Sequence, residues 1–75
     1  MVRVKFFASL REQFGTAELS LPLRPGMSVA EVWAAAAGQP LPEYVLMARN
    51  LEYVQRDSIV EDGDEIAFFP PVTGG

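Results

Sequence analysis

The sequence contains no cysteine and no histidine. Their absence removes disulfides, the ordinary zinc ligands, and the thiol and imidazole on which most nucleophilic catalysis rests. A glycine-rich phosphate loop with its lysine is missing too. The chain is therefore not expected to act as an enzyme on its own, nor to bind a metal or a cofactor itself. Basic residues are few: six Lys and Arg stand against ten Asp and Glu, for a net charge of −4. Nucleic acid, which needs a clustered cationic surface, is excluded as a partner, and a protein with a basic face is favoured. No apolar run approaches the roughly 20 residues of a membrane span, and the opening "MVRVKFF" lacks the layout of a signal peptide. A cytoplasmic protein without membrane contact is the expectation.

What is present is a globular composition, 49% hydrophobic in 75 residues. That length supports one small domain, which buries only about 60% of the surface its unfolded chain exposes. "VRVKFFA" alternates, with Val2, Val4, Phe6 and Ala8 on one face and Arg3, Lys5 and Phe7 on the other, as in a half-buried strand over residues 2–8. "SLREQFG" is a short helical turn closed by Gly15, and "TAELSLPL" alternates again before the turn "RPG". Ser28 and Glu31 have the spacing of a capping box, and Val29, Val32, Trp33 and Ala36 follow at helical intervals, so residues 28–37 form an amphipathic helix. "YVLMA" reads as a buried strand, "RNLE" as a turn, "YV" as a short return strand, "EDGDE" as a solvated charged turn and "EIAFF" as the last strand.

This order predicts an α+β domain over residues 1–69 in which one main helix crosses a mixed sheet. The expected core is Val4, Phe6, Leu19, Leu21, Val32, Trp33, Val45, Met47, Ile59, Ile66 and Phe68. Residues 70–75, "PPVTGG", form an extended tail. Pro70 and Pro71 stop the last strand because they cannot donate to a sheet. At the average glycine frequency of about 7%, a terminal Gly-Gly arises by chance in about one chain in 200. Six residues at about 3.3 Å each reach roughly 20 Å from the domain. Val72 and Thr73 are suited to anchoring in a groove, and Gly74 and Gly75 leave a narrow channel unobstructed. The reactive group on this reading is the carboxylate of Gly75. Ionised at neutral pH, it is a poor electrophile and needs conversion by an external activating enzyme.

"VRVKFFASLREQFGT", the capped helix and above all "GDEIAFFPPVTGG" resemble the small subunits of molybdopterin synthase, a branch of the ubiquitin-like β-grasp sulfur carriers. The resemblance spans essentially the whole chain and is least specific from Gln39 to Asp57. It implies a cycle in which an adenylating enzyme related to ubiquitin-activating enzymes uses ATP on Gly75 and a sulfur donor protein converts the adenylate to a thiocarboxylate. The tail, from Pro70 and Pro71 through Val72, Thr73 and Gly74, then threads into the large synthase subunit. There sulfur passes to cyclic pyranopterin monophosphate, two loaded carriers serving each product, in a heterotetramer of two small and two large subunits. In a β-grasp the first and last strands are neighbours, so outward Phe7 and Phe69 are expected to form an aromatic docking patch. Sulfur carriage for thiamine or a thiolated tRNA base, and ubiquitin-like protein modification, share the same tail chemistry.

Overall fold

The computed structural model describes residues 1–71. Five strands form one sheet: β1 (Val2–Phe6), β2 (Glu18–Leu21), β3 (Leu46–Arg49), β4 (Glu52–Tyr53) and β5 (Glu65–Phe69). Their order is β2-β1-β5-β3-β4. The two terminal strands lie side by side in the centre and run parallel, Val4 opposite Ile66 and Phe6 opposite Phe68. The other pairings, β1 with β2, β5 with β3 and β3 with β4, are antiparallel. The mixed sheet expected from the sequence is thus observed, with its most central strand leading directly into the tail.

Helix α1 (Ser9–Phe14) and helix α2 (Val29–Ala37) close one face of the sheet. Val2, Val4 and Phe6 from β1 and Ile66 and Phe68 from β5 meet Leu10 of α1 and Val29, Val32 and Trp33 of α2 in a single core cluster. Trp33 is 1% exposed. It meets Phe6, Phe14 and Phe68 edge-on, with ring centroids 6.0, 5.3 and 5.0 Å away, an arrangement that adds roughly 0.5 to 1.5 kcal/mol per pair beyond simple burial.

The capping box at the start of α2 is complete. The Ser28 N–H donates to Glu31 Oε1 at 3.0 Å, and the Glu31 N–H donates to Ser28 Oγ at 3.2 Å. Gly38 ends the helix in the left-handed conformation, its N–H bonded to the Ala34 carbonyl. The hydrogen bond from the Ser28 backbone, that from its side chain and the charge of Arg24 hold the Glu31 carboxyl below its ordinary value against a smaller opposing effect of burial. A carboxyl whose affinity for protons falls on folding stabilises the folded state above its unfolded pKa, and that stabilisation disappears as pH falls through the folded pKa. Chemical denaturation should therefore find Glu31→Gln less stable than the parent at neutral pH, the gap narrowing in acid. Ser28→Ala should cost about 1 kcal/mol. A gap for Glu31→Gln that widens in acid would contradict this assignment.

Three local expectations are corrected by the packing. Ile59, expected in the core, is 52% exposed, and Val60 is buried in its place. The bridge between Ser28 and Ile59 and the hydrogen bond from the Val60 N–H to the Met27 carbonyl at 2.8 Å set this register, and a one-residue slip exchanges inward for outward. β1 ends at Phe6 rather than at residue 8, because Ala8 takes φ 54° and turns the chain into α1. Leu19 and Leu21, also expected in the core, are only half-buried because β2 is an edge strand, and they pack against the rim of the core.

The turn "EDGDE" is not wholly solvated. Asp64 is buried, and its Oδ2 accepts from the Glu61 N–H at 2.8 Å while its Oδ1 accepts from Asn50 Nδ2 at 3.0 Å. Asn50 in turn accepts from the Glu65 N–H at 3.0 Å and donates its own N–H to the Glu65 carbonyl at 2.9 Å. This clasp fixes the β3–β4 turn against the start of β5. It therefore sets the register of the strand from which the tail departs.

Candidate functional site

The helices leave the other face of the sheet open, and alternation decides what it carries. With Val2, Val4 and Phe6 inward, Arg3 and Lys5 are outward; with Ile66 and Phe68 inward, Glu65, Ala67 and Phe69 are outward. Cross-strand pairing extends this face onto β3 and β4. Leu46 stands opposite Phe69, and Ala67, Ala48 and Tyr53 form one row across β5, β3 and β4. The face is consequently divided along its length. Arg3, Lys5, Glu18 and Glu65 form an ion-paired half, with Arg3 Nη2 and Lys5 Nζ 3.1 and 3.4 Å from the same Glu65 Oε1 and Arg3 Nη1 3.9 Å from Glu18. Phe69, Leu46, Tyr53 and the small Ala67 and Ala48 form an apolar half at the end where β5 reaches Pro70.

Phe69 is half-buried, and the ring against it is that of Tyr53, with centroids 5.9 Å apart. Sequence reasoning did not single out Tyr53, which is 77% exposed. The signal was present in "EYV", where an outward aromatic precedes the inward Val54, but a strand of two residues gives too short an alternation to read. Phe7 is 47% exposed. Its N–H donates to the Phe68 carbonyl at 3.1 Å, which keeps it beside the end of β5. The positive φ of Ala8 turns the chain away immediately afterwards, a conformation that costs an L-residue on the order of 1 to 3 kcal/mol and recurs near functional surfaces.

Pro70 is half-buried and Pro71 exposed. The remaining tail residues assigned a role, Val72, Thr73, Gly74 and Gly75, lie outside the described residues. Among the described residues no cluster of three or more His, Cys, Asp or Glu has the geometry of a metal site, and no helix is long and apolar enough to cross a membrane.

A mixed sheet ordered 2-1-5-3-4, with a capped helix across one face and a central last strand ending in Pro-Pro, defines a ubiquitin-like β-grasp protein. The chain belongs to the ThiS family, which matches residues 4–75. Among curated proteins it is similar to the molybdopterin synthase sulfur carrier subunit of Escherichia coli, 39% identical over 84 residues and covering both chains completely. It is also similar to the subunit of the same name from Haemophilus influenzae, 37% identical over 86 residues, again with complete coverage of both. Among solved structures, SAMP1 from Haloferax volcanii superposes with a TM-score of 0.81 at 25% identity, over 99% of this chain and 98% of that one.

Proposed function

We propose that the chain is the sulfur carrier of molybdopterin synthase and that the Gly75 carboxylate is its reactive group. The observation that carries this reading is the family match through residue 75, together with complete mutual coverage of the Escherichia coli sulfur carrier subunit. The carboxylate oxygen attacks the α-phosphorus of ATP on an adenylating enzyme, and pyrophosphate leaves. Sulfide supplied as HS⁻ by a donor protein then attacks the acyl carbon, AMP departs with the electron pair of the C–O bond, and loss of the sulfur-bound proton leaves a thiocarboxylate. Docked on the large subunit, the tail delivers that sulfur to cyclic pyranopterin monophosphate. The chain contributes no catalytic side chain and no bound cofactor. Its work is presentation in the cytoplasm, with Phe7 and Phe69 docking the partner and Pro70, Pro71, Val72, Thr73 and Gly74 spanning the distance to the active site.

Intact mass spectrometry tests the reading. After incubation with the adenylating enzyme, ATP and a sulfur donor, exchange of one terminal oxygen for sulfur should add about 16 Da at the C-terminus. No increment with competent partners would overturn the proposal. The likeness to SAMP1, a small archaeal modifier protein, favours one second reading, transfer of the same activated carboxylate to a lysine. In that case mass appears in conjugates of other proteins, and no pterin dithiolene forms in reconstitution.

A further inference from the structure

An acyl-adenylate is open to attack by amines as well as by sulfur, so a carrier activated in this way is exposed to amide linkage with its own copies. The distribution of cations on this chain limits that linkage. Of the six basic residues five are arginines, and Lys5 is the sole lysine. Guanidinium stays protonated and does not attack acyl groups, so Arg11 and Arg24 supply exposed positive charge without a nucleophile. Lys5 lies in the middle of the open face, in register between Glu18 of β2 and Ala67 of β5. Its side chain is 35% exposed, and its Nζ sits on the Glu65 oxygen already held by Arg3.

We infer that Lys5, the one lysine of the chain, is a poor acceptor of a second copy's activated tail, because it is tied to Glu65 on the very face that docks the partner. This rests on Gly75 being activated, and it concerns the step that activation invites. In that step the lysine nitrogen attacks the acyl carbon, a C–N bond forms, the C–O bond to AMP breaks with its electron pair, and the nitrogen loses a proton. The attacking atom must come within roughly 3 to 3.5 Å of the acyl carbon. To allow this, Lys5 must leave Glu65 as the acyl carbon of a second copy approaches the open face. The consequence is a carrier that does not link to its own copies through lysine and that, used as a modifier, adds without building lysine-linked chains.

The test uses the chain with a mercaptoethanesulfonate thioester made chemically at Gly75, so that neither activating enzyme nor sulfur donor takes part. It is mixed with parent, Glu65→Gln, Arg24→Lys or Lys5→Arg acceptor, and amide-linked dimer is mapped by peptide mass spectrometry, which separates Lys5 from the α-amino group. Arg24→Lys, with its amine on an exposed turn, should give about tenfold more lysine-linked dimer than the parent, since access governs the encounter. Glu65→Gln should raise the Lys5 linkage about two- to fivefold, the range of one surface ion pair, and Lys5→Arg should abolish it. A parent that links through Lys5 as fast as Arg24→Lys does, or a Glu65→Gln variant no faster than the parent, overturns the inference. Because the thioester is synthetic, these outcomes leave the sulfur-carrier reading untouched, and that reading stands or falls on the intact-mass measurement.

Discussion

Deleting Gly75, or adding one residue after it, should abolish thiocarboxylate formation while leaving the fold as it is. Either change moves the terminal carboxylate by about 3.5 Å along an extended chain. Reacting atoms must approach within roughly 3 to 3.5 Å for the displacement to proceed, so a shift of one residue takes the carboxylate oxygen out of reach of ATP in the adenylating enzyme. Stability should not follow, because the core cluster draws its residues from Val2 to Phe68 and ends before Pro70. The measurement is intact mass after the loading reaction, paired with a thermal melt of each variant. Loading of the truncated chain at the parent's rate would show that the enzyme reads something other than the position of Gly75. A large fall in melting temperature would place the tail within the folded core.

The features legible in the sequence are those whose causes lie close together in the chain. Ser28 and Glu31 are three residues apart, so the box and the helix it opens could be read directly, and the structure has both hydrogen bonds. Strands β1 and β5 each offer a full alternation, and Phe6 and Phe68 both prove fully buried. What escaped depends on distant partners. Asp64 looks like one more surface acid in "EDGDE", and besides the local bond from the Glu61 N–H its burial depends on Asn50, 14 residues earlier, and on the turn that brings Asn50 to it. Ile59 and Val60 are equally apolar neighbours, and the bridge to Ser28, far away in sequence, decides which one points inward.

The candidate site follows the same division. The expectation for the tail rests on its composition alone, and Val72 to Gly75 lie outside the described residues. The face beside it could be read only in part. Strand parity gave Phe69 as outward, but its contact with Tyr53 depends on the sheet order β5-β3-β4, which no local pattern encodes. A sheet assembled around a parallel central pair therefore hides part of its surface from sequence reasoning.

Phe69→Ala should weaken the complex with the large subunit by a hot-spot amount, about 2 kcal/mol or roughly 30-fold in Kd. The reasoning starts from position. Phe69 is the last residue of β5, so its ring lies at the root of the tail, where any partner that admits the tail must come closest. It is half-buried, and its neighbours on the open face are Leu46 and the exposed Tyr53, so an aromatic anchor already sits in an apolar surround. The core does not depend on it, since the inward positions of β5 are Ile66 and Phe68 and the ring of Phe69 is on the opposite side of the sheet. Truncation should therefore remove binding energy and leave most of the stability in place. Calorimetric titration against the large subunit, with a denaturation curve for the free variant, separates the two effects. Phe7→Ala should show the same pattern more weakly, because Phe7 lies past the end of β1 and is 47% exposed. If Phe69→Ala unfolds the domain while the affinity of the remaining folded fraction is unchanged, the faces are reversed and the docking surface lies elsewhere.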